Sequence, residues 1–222
     1  MKSKNKITII IPCYNEINFL EIITQRVLDN NIQNKQIIII DDFSNDGTKE
    51  LLKNKIEHLV DKVIYHEKNM GKGACIKSAI KFIEGDIVII QDADLEYNPS
   101  DHKKLIKVMI DSNADVVYGS RVSKEKNNNL SLYIANRIAN FVLTEITNIL
   151  TGLKISDMET GLKCFKKQAI QSIKLVENRF GFEPEVTIKL AKKKFKFKET
   201  GIEYNPRTIK EGKKIKAKDG VI

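Results

Sequence analysis

Cysteine is scarce in this chain. Cys13, Cys75 and Cys164 are the only three, an odd number set far apart. That argues against a disulfide framework and against a Cys-x-x-Cys metal site, and it suits a reducing compartment. Long apolar runs are missing too, since no stretch approaches the roughly 20 residues needed to span a bilayer. The opening Met-Lys-Ser-Lys-Asn-Lys has no apolar core with a small-residue cleavage site behind it, so no secretory leader is expected. No repeat or linker interrupts the 222 residues, a length that suits one domain spanning 1–222. Hydrophobic content of 41% and charged content of 30% describe a soluble globular protein.

Positive charge is abundant. The formal net charge is +9, and much of it sits late in the chain. Lys192, Lys193, Lys194, Lys196 and Lys198 crowd together, followed by Arg207, Lys210, Lys213, Lys214, Lys216 and Lys218. Such a surplus points to an anionic partner, whether nucleic acid, an anionic membrane surface or a polyphosphate substrate. A merely basic composition gives the same count.

Strand and helix patterns alternate. Ile7 to Pro12 reads as a strand, and Ile17 to Leu28 carries apolar residues at helical spacing. Gln36 to Asp41 contains four consecutive isoleucines, the mark of a strand buried on both faces. Ser44 or Asp46 is placed to cap a helix running through Lys53. A short strand at 63–65 and a helix at 71–83 follow, then an apolar strand at 87–90. A helix from Pro99 and a strand at 115–118 complete the first part. This order predicts an α/β fold with a doubly wound, mostly parallel sheet, whose ligands bind beyond the carboxyl ends of the strands. Asn15, Asp42 and Asp92 all fall there.

The most informative stretch is Gly-Asp-Ile-Val-Ile-Ile-Gln-Asp-Ala-Asp-Leu-Glu, residues 85–96. Asp92 and Asp94 are one residue apart at the end of the apolar run. If the strand continues, both point to the same side, with Glu96 next along that face. Paired carboxylates suit a hard divalent cation that also holds substrate phosphates. Tyr14, just past the first strand, is placed to stack on a nucleobase, with Pro12 and Glu16 shaping the pocket. Asp42 would accept hydrogen bonds from a base edge or ribose hydroxyls. Gly71-Lys72-Gly73 opens a helix but lacks the phosphate-loop pattern, so its glycines read as packing devices and Lys72 only as a possible contact.

Taken in order, Ile-Pro-Cys-Tyr-Asn-Glu (11–16), Ile-Asp-Asp-Phe-Ser-Asn-Asp-Gly-Thr (40–48), Asn-Met-Gly-Lys-Gly-Ala (69–74) and Asp-Ala-Asp-Leu-Glu (92–96) resemble the motifs of family 2 glycosyltransferases. The closer resemblance is to the dolichyl- or polyprenyl-phosphate mannosyl- and glucosyltransferases. Segments 156–165, 181–187 and 206–215 agree with it. The resemblance implies a GT-A fold, with 1–120 binding the nucleotide sugar and 121–222 forming the acceptor side. It implies Mg2+ or Mn2+ on Asp92, Asp94 and Glu96, where many mannosyl relatives have Gln in place of Glu96. It also implies donor contacts from Pro12, Tyr14, Glu16, Ile40, Asp42 and Ala93. Arg121, Arg207 and Lys213 match basic positions around the diphosphate and the acceptor phosphate, with Arg137 a further candidate.

The activity implied is inverting transfer of a hexose, from a GDP-mannose or UDP-glucose type of donor, to polyprenyl phosphate. A lipid phosphate is already anionic and needs no strong base. A sugar hydroxyl in a surface polysaccharide, the alternative acceptor, would need one, and Asp157 is the residue to suspect. Leu130 to Leu153 bears a broad apolar face that includes Leu132, Ile134, Ala135, Ile138, Val142, Ile146 and Ile149. It reads either as a core helix or as an interfacial element that guides a prenyl chain. The second option places the enzyme on the cytoplasmic face of a membrane. The chain stops at Val221-Ile222, where relatives commonly continue. A nucleotidyltransferase would need a Gly-rich loop after the first strand, and Pro-Cys-Tyr-Asn-Glu is not one. A nucleic-acid-binding module lacks any recognition-helix signature, so no nucleic-acid partner is expected.

Overall fold

The computed structural model describes residues 5–121 and 130–207. Lys210, Lys213, Lys214, Lys216 and Lys218, and the side chains of Leu132, Ile134 and Ala135, lie outside the described residues.

Seven strands form one sheet. They are β1 (Ile7–Cys13), β2 (Lys35–Asp41), β3 (Lys62–Tyr65), β4 (Ile87–Ile90), β5 (Val116–Ser120), β6 (Lys163–Lys166) and β7 (Phe197–Gly201). Their spatial order is β3-β2-β1-β4-β6-β5-β7. β6 runs antiparallel to both β4 and β5, and the other pairings are parallel. A strand from the later part of the chain is thus inserted between β4 and β5, so both parts share one sheet. The helices are α1 (Leu20–Asp29), α2 (Thr48–Leu51), α3 (Lys72–Ile80), α4 (His102–Ser112), α5 (Leu130–Thr151), α6 (Lys167–Gln171) and α7 (Phe182–Lys192).

Isoleucine runs build this sheet because strand alternation sends neighbours to opposite faces, and both faces are covered. Ile9, Ile11, Ile37 and Ile39 pack with α1 and α4, through Leu20, Ile23, Leu105 and Met109. Ile10, Ile38, Ile40, Val88 and Ile90 face the other layer, formed with Cys75, Ile76, Phe182 and Val186. The second helix continues from α2 as a π-helical turn over Leu52–Ile56, so the helical segment runs past Lys53 as the pattern predicts. Its Ser44 does not cap it but accepts from the Asn15 backbone N–H, while Asp46 accepts from Thr48 N at 3.0 Å.

α5 differs most from a core helix. Ile138, Phe141, Ile146, Ile149 and Leu150 are exposed, whereas Thr144 and Thr147 are buried. Polar groups turn the helix this way round. Asn140 Nδ2 donates to Asp157, Thr144 Oγ1 accepts from Met158 N, and Asn148 bonds both the N–H and the C=O of Ile155. Docking the polar stripe on 155–158 leaves the apolar stripe outside.

Candidate active site

The carboxyl ends of β1, β2 and β4 open onto a cavity of about 1090 Å³. Asp92 and Asp94 line it, but they do not lie on a strand. β4 ends at Ile90, and Asp92 to Glu96 form a turn in which Leu95 adopts φ 61°. A left-handed leucine costs of the order of 1–3 kcal/mol, so surrounding contacts must impose it. Several do. Gln91 Nε2 bonds the carbonyls of Asp92 and Tyr97, and buried His102 donates from Nε2 to Gln91 Oε1 at 2.7 Å while Asn30 Nδ2 lies 3.1 Å from its Nδ1. Those partners fit the neutral imidazole, and burial pushes its pKa down to about 3.

Glycine admits the carboxylate. A Cβ on Gly161 would lie 2.0 Å from Asp92 Oδ2, and the Gly161 N–H donates to Tyr97 Oη at 2.8 Å. Lys72 Nζ then reaches Asp92 Oδ1 at 2.8 Å and Glu183 Oε1 at 3.1 Å. Burial opposes the ammonium's charge, yet Asp92 and Glu183 outweigh it and hold the Lys72 pKa well above its ordinary range. Sequence reasoning gave Lys72 little and Glu183 no role. The two are over a hundred residues apart, and no local pattern announces the pair.

Arg207 closes the other side. Its Nη2 is 3.0 Å from Asp94 Oδ2 and its Nη1 is 3.0 Å from Glu16 Oε2. Burial, with the carboxylates of Asp92 and Glu96 alongside, pushes the Asp94 carboxyl up to about 7. Glu96 is not on a shared strand face with the aspartates. It lies past the left-handed Leu95, and its oxygens accept from Tyr204 Oη at 2.7 Å and Arg207 N at 3.1 Å. It therefore anchors the returning C-terminal segment, which also pairs Tyr204 with Tyr97. Asp92 and Asp94 offer an all-oxygen donor set whose crowded charge a hard divalent cation would relieve.

Asp157 is fully buried and clamps Arg121, which lies 2.7 Å from it through both Nε and Nη2. The Arg121 backbone N–H and Asn140 add two further bonds. Burial works against the charge, but Arg121 prevails and holds the carboxyl below its usual range. A carboxylate closed in this way is not open to a hydroxyl, which corrects its reading as a base. Asp42 is equally occupied, by His66, Met70 N, Gly71 N and Asn69. Four donors fill its lone pairs, so Asp42 shapes the 69–71 loop at the cavity edge. The Ile40 side chain is in the core and does not line the cavity, which leaves only its main chain for any ligand. Pro12, Tyr14, Glu16 and Ala93 do line it, and so do Arg121 and Arg207. Tyr14 is 38% exposed, and Arg137 is exposed on α5 at the rim. Lys213 lies outside the described residues.

A second cluster, Asp42, His66 and Cys75, brings its ligand atoms within 4.8 Å. Both His66 nitrogens are already bonded, to Asp42 and Ser78. Burial and the nearby Asp42 push the Cys75 thiol up, away from the thiolate a metal needs. This cluster reads as a hydrogen-bonded support under the 69–71 loop.

Residues 8–174 match the model of Glycosyl transferase family 2, and the chain belongs to that family. It is a glycosyltransferase of the GT-A fold. It is 30% identical to the dolichol-phosphate mannosyltransferase of Pyrococcus furiosus over 217 residues, 94% of this chain and 59% of that protein. It is also 30% identical to the UDP-N-acetylglucosamine–dolichyl-phosphate N-acetylglucosaminyltransferase of Methanococcus voltae, over 74% of this chain and 71% of that one. Among solved structures it resembles glucosyl-3-phosphoglycerate synthase of Mycobacterium tuberculosis, crystallised with Mn2+, UDP and glucosyl-3-phosphoglycerate. The TM-score is 0.69 and the identity 17%, covering 95% of this chain and 75% of that one. A mannosyltransferase of Pyrobaculum calidifontis, in complex with GDP-Man and Mn2+, aligns with a TM-score of 0.65 and 17% identity over 89% of this chain and 55% of that one.

Proposed function

We propose that this enzyme transfers a hexose from a nucleoside-diphosphate sugar to a polyprenyl phosphate at a membrane surface, with inversion at the anomeric carbon. The carrying observation is a cavity lined by two unlike sets of residues. One is charged, Asp92, Asp94, Arg121 and Arg207, and the other is apolar, Phe141, Leu143, Leu153 and Phe180. A charged nucleotide sugar suits the first and a prenyl chain the second. The names of the two dolichyl-phosphate relatives support this reading.

Mg2+ or Mn2+, held by Asp92 and Asp94, would supply charge neutralisation for the departing diphosphate. Arg207 adds a planar fork matched to phosphate oxygens once it turns from Asp94, and Arg121 is held rigid by Asp157. Tyr14 stacks on the base. Arg137, which also lines the cavity, meets the acceptor phosphate. That phosphate is anionic near neutral pH, so the attack needs no general base. The closed state of Asp157 is consistent with such an acceptor.

No described helix is long and apolar enough to cross a membrane. The exposed stripe of α5 instead suits burial in the headgroup region of the cytoplasmic leaflet, aided by the basic surface. The test is acceptor length. Phe141→Asp with Ile149→Asp should lower transfer to a long polyprenyl phosphate by about tenfold or more, since each buried CH2 is worth about 0.8 kcal/mol. Transfer to a short water-soluble prenyl phosphate should hold. Equal loss on both acceptors would remove the chain-guiding role of α5.

A further inference from the structure

We propose that Glu183, steadied by Lys72, is the subsite for the transferred sugar's hydroxyls, with Glu183 Oε2 accepting a sugar O–H. The inference rests on the nucleotide-sugar reading and goes beyond it to the group that selects the sugar. Glu183 is 4% exposed in the first turn of α7 and lines the cavity. Its Oε1 is held by Lys72, while Oε2 is buried with no hydrogen-bond partner among the described residues. Leaving a buried carboxylate oxygen without a donor is costly, and native structures rarely do so without reason.

Position and chemistry narrow what would satisfy it. Lys72 ties Glu183 directly to Asp92 Oδ1. Oε2 therefore sits one side chain away from the carboxylate assigned to the diphosphate end, where the sugar of a bound donor must lie. Glu159 lines the same cavity, and burial next to Glu183 pushes its carboxyl up to about 7. Two acids side by side repel phosphate and accept from hydroxyls.

The backbone fixes the pair. A Cβ on Gly73 would lie 2.5 Å from the Glu177 carbonyl oxygen, and one on Gly71 would lie 2.6 Å from that of Asn178. Ala74 N donates to the same Asn178 carbonyl at 3.0 Å. The start of α3, which carries Lys72, is thereby locked to the segment that leads into α7. The close-packing role expected of these glycines serves to register Lys72 against Glu183.

The test compares the wild type with the isosteric Glu183→Gln. Binding of UDP, GDP and their glucose, N-acetylglucosamine and mannose conjugates would be titrated with Mn2+, and turnover measured on the accepted donor. The variant should bind the nucleoside diphosphate within about twofold of wild type. It should lose about tenfold or more on the accepted nucleotide sugar, the range for a hydrogen bond to a charged group. In the wild type, a donor lacking one sugar hydroxyl should show the same loss, and the variant should not distinguish it from the parent donor. Equal losses for diphosphate and nucleotide sugar would overturn the proposal, because Glu183 would then act only through Lys72 on Asp92. Unchanged binding and turnover would overturn it as well while leaving the glycosyl-donor reading intact. Failure of wild type to bind any nucleotide sugar would overturn both.

Discussion

Arg207 and Asp94, 113 positions apart, meet at 3.0 Å between Nη2 and Oδ2. The contact places a guanidinium from the C-terminal segment on the carboxylate assigned to the cation. Without a cation, Arg207 balances Asp94, Glu16 and Glu96 together. Arg207→Ala should therefore destabilise the metal-free protein by about 3 kcal/mol, the scale for orphaning one side of a buried pair. Added Mn2+ should recover more melting temperature in the variant than in the wild type. Differential scanning calorimetry with and without Mn2+ reads both effects, and equal Mn2+ shifts would count against the shared site.

Gly161 gives a sharper probe of Asp92. Gly161→Ala puts a methyl group where Asp92 Oδ2 now sits, at 2.0 Å. The carboxylate must swing away, and turnover should fall by about 100-fold or more, as when a pre-organised group of the transition-state charge site is lost. Half-saturation for Mn2+ should rise in parallel. A variant with wild-type Mn2+ dependence would show that Asp92 can ligate from elsewhere.

Asp157→Asn separates the two roles considered for that residue. As the clamp on Arg121, its loss should cost about 3–5 kcal/mol of unfolding free energy. As a base, its replacement would abolish transfer to hydroxyl acceptors with little change in stability. Urea unfolding beside an acceptor assay distinguishes them.

His102 sets an acid limit on the fold. Its folded pKa is lowered to about 3 from 6.5, so the unfolded chain binds the extra proton between those values. Its contribution is complete above about pH 6.5 and is lost as pH falls toward 3, amounting to about 2 kcal/mol by pH 5. Asp94 and Glu159, pushed up to about 7, titrate the opposite way in part of this interval. The informative quantity is therefore the difference between wild type and His102→Gln. That difference should shrink as the pH is lowered from 7 to 5, and a constant difference would refute the assignment.

Much of the first half was legible because short β-branched runs such as Ile37 to Ile40 read as strands covered on both faces. β6 was not. Lys163 heads a short Lys-Cys-Phe-Lys segment, yet it is fully buried, its Nζ bonded to the carbonyls of Met158 and Thr160. No hydrophobic pattern predicts a buried lysine that the carbonyls of the loop just before it satisfy. Asp92 and Asp94 were legible as a pair but not in their geometry, since the turn depends on Leu95 and the His102–Gln91 support. The apolar stripe of α5 was visible as well. Which way it faced was decided by Asn140, Thr144 and Asn148 docking on 155–158, a matter of partners outside the stripe itself. Lys72 with Glu183 belongs to the same kind of information, which only folding brings together.

The most direct test of the account is transfer of radiolabel from nucleotide sugars to polyprenyl phosphate, with Mn2+ or Mg2+, read in the organic phase. Label should appear there with one donor, require the divalent cation, and vanish in Asp92→Asn and Asp94→Asn proteins that still fold. Label that reached only water-soluble saccharides, or a well-folded Asp94→Asn enzyme with normal activity, would contradict it.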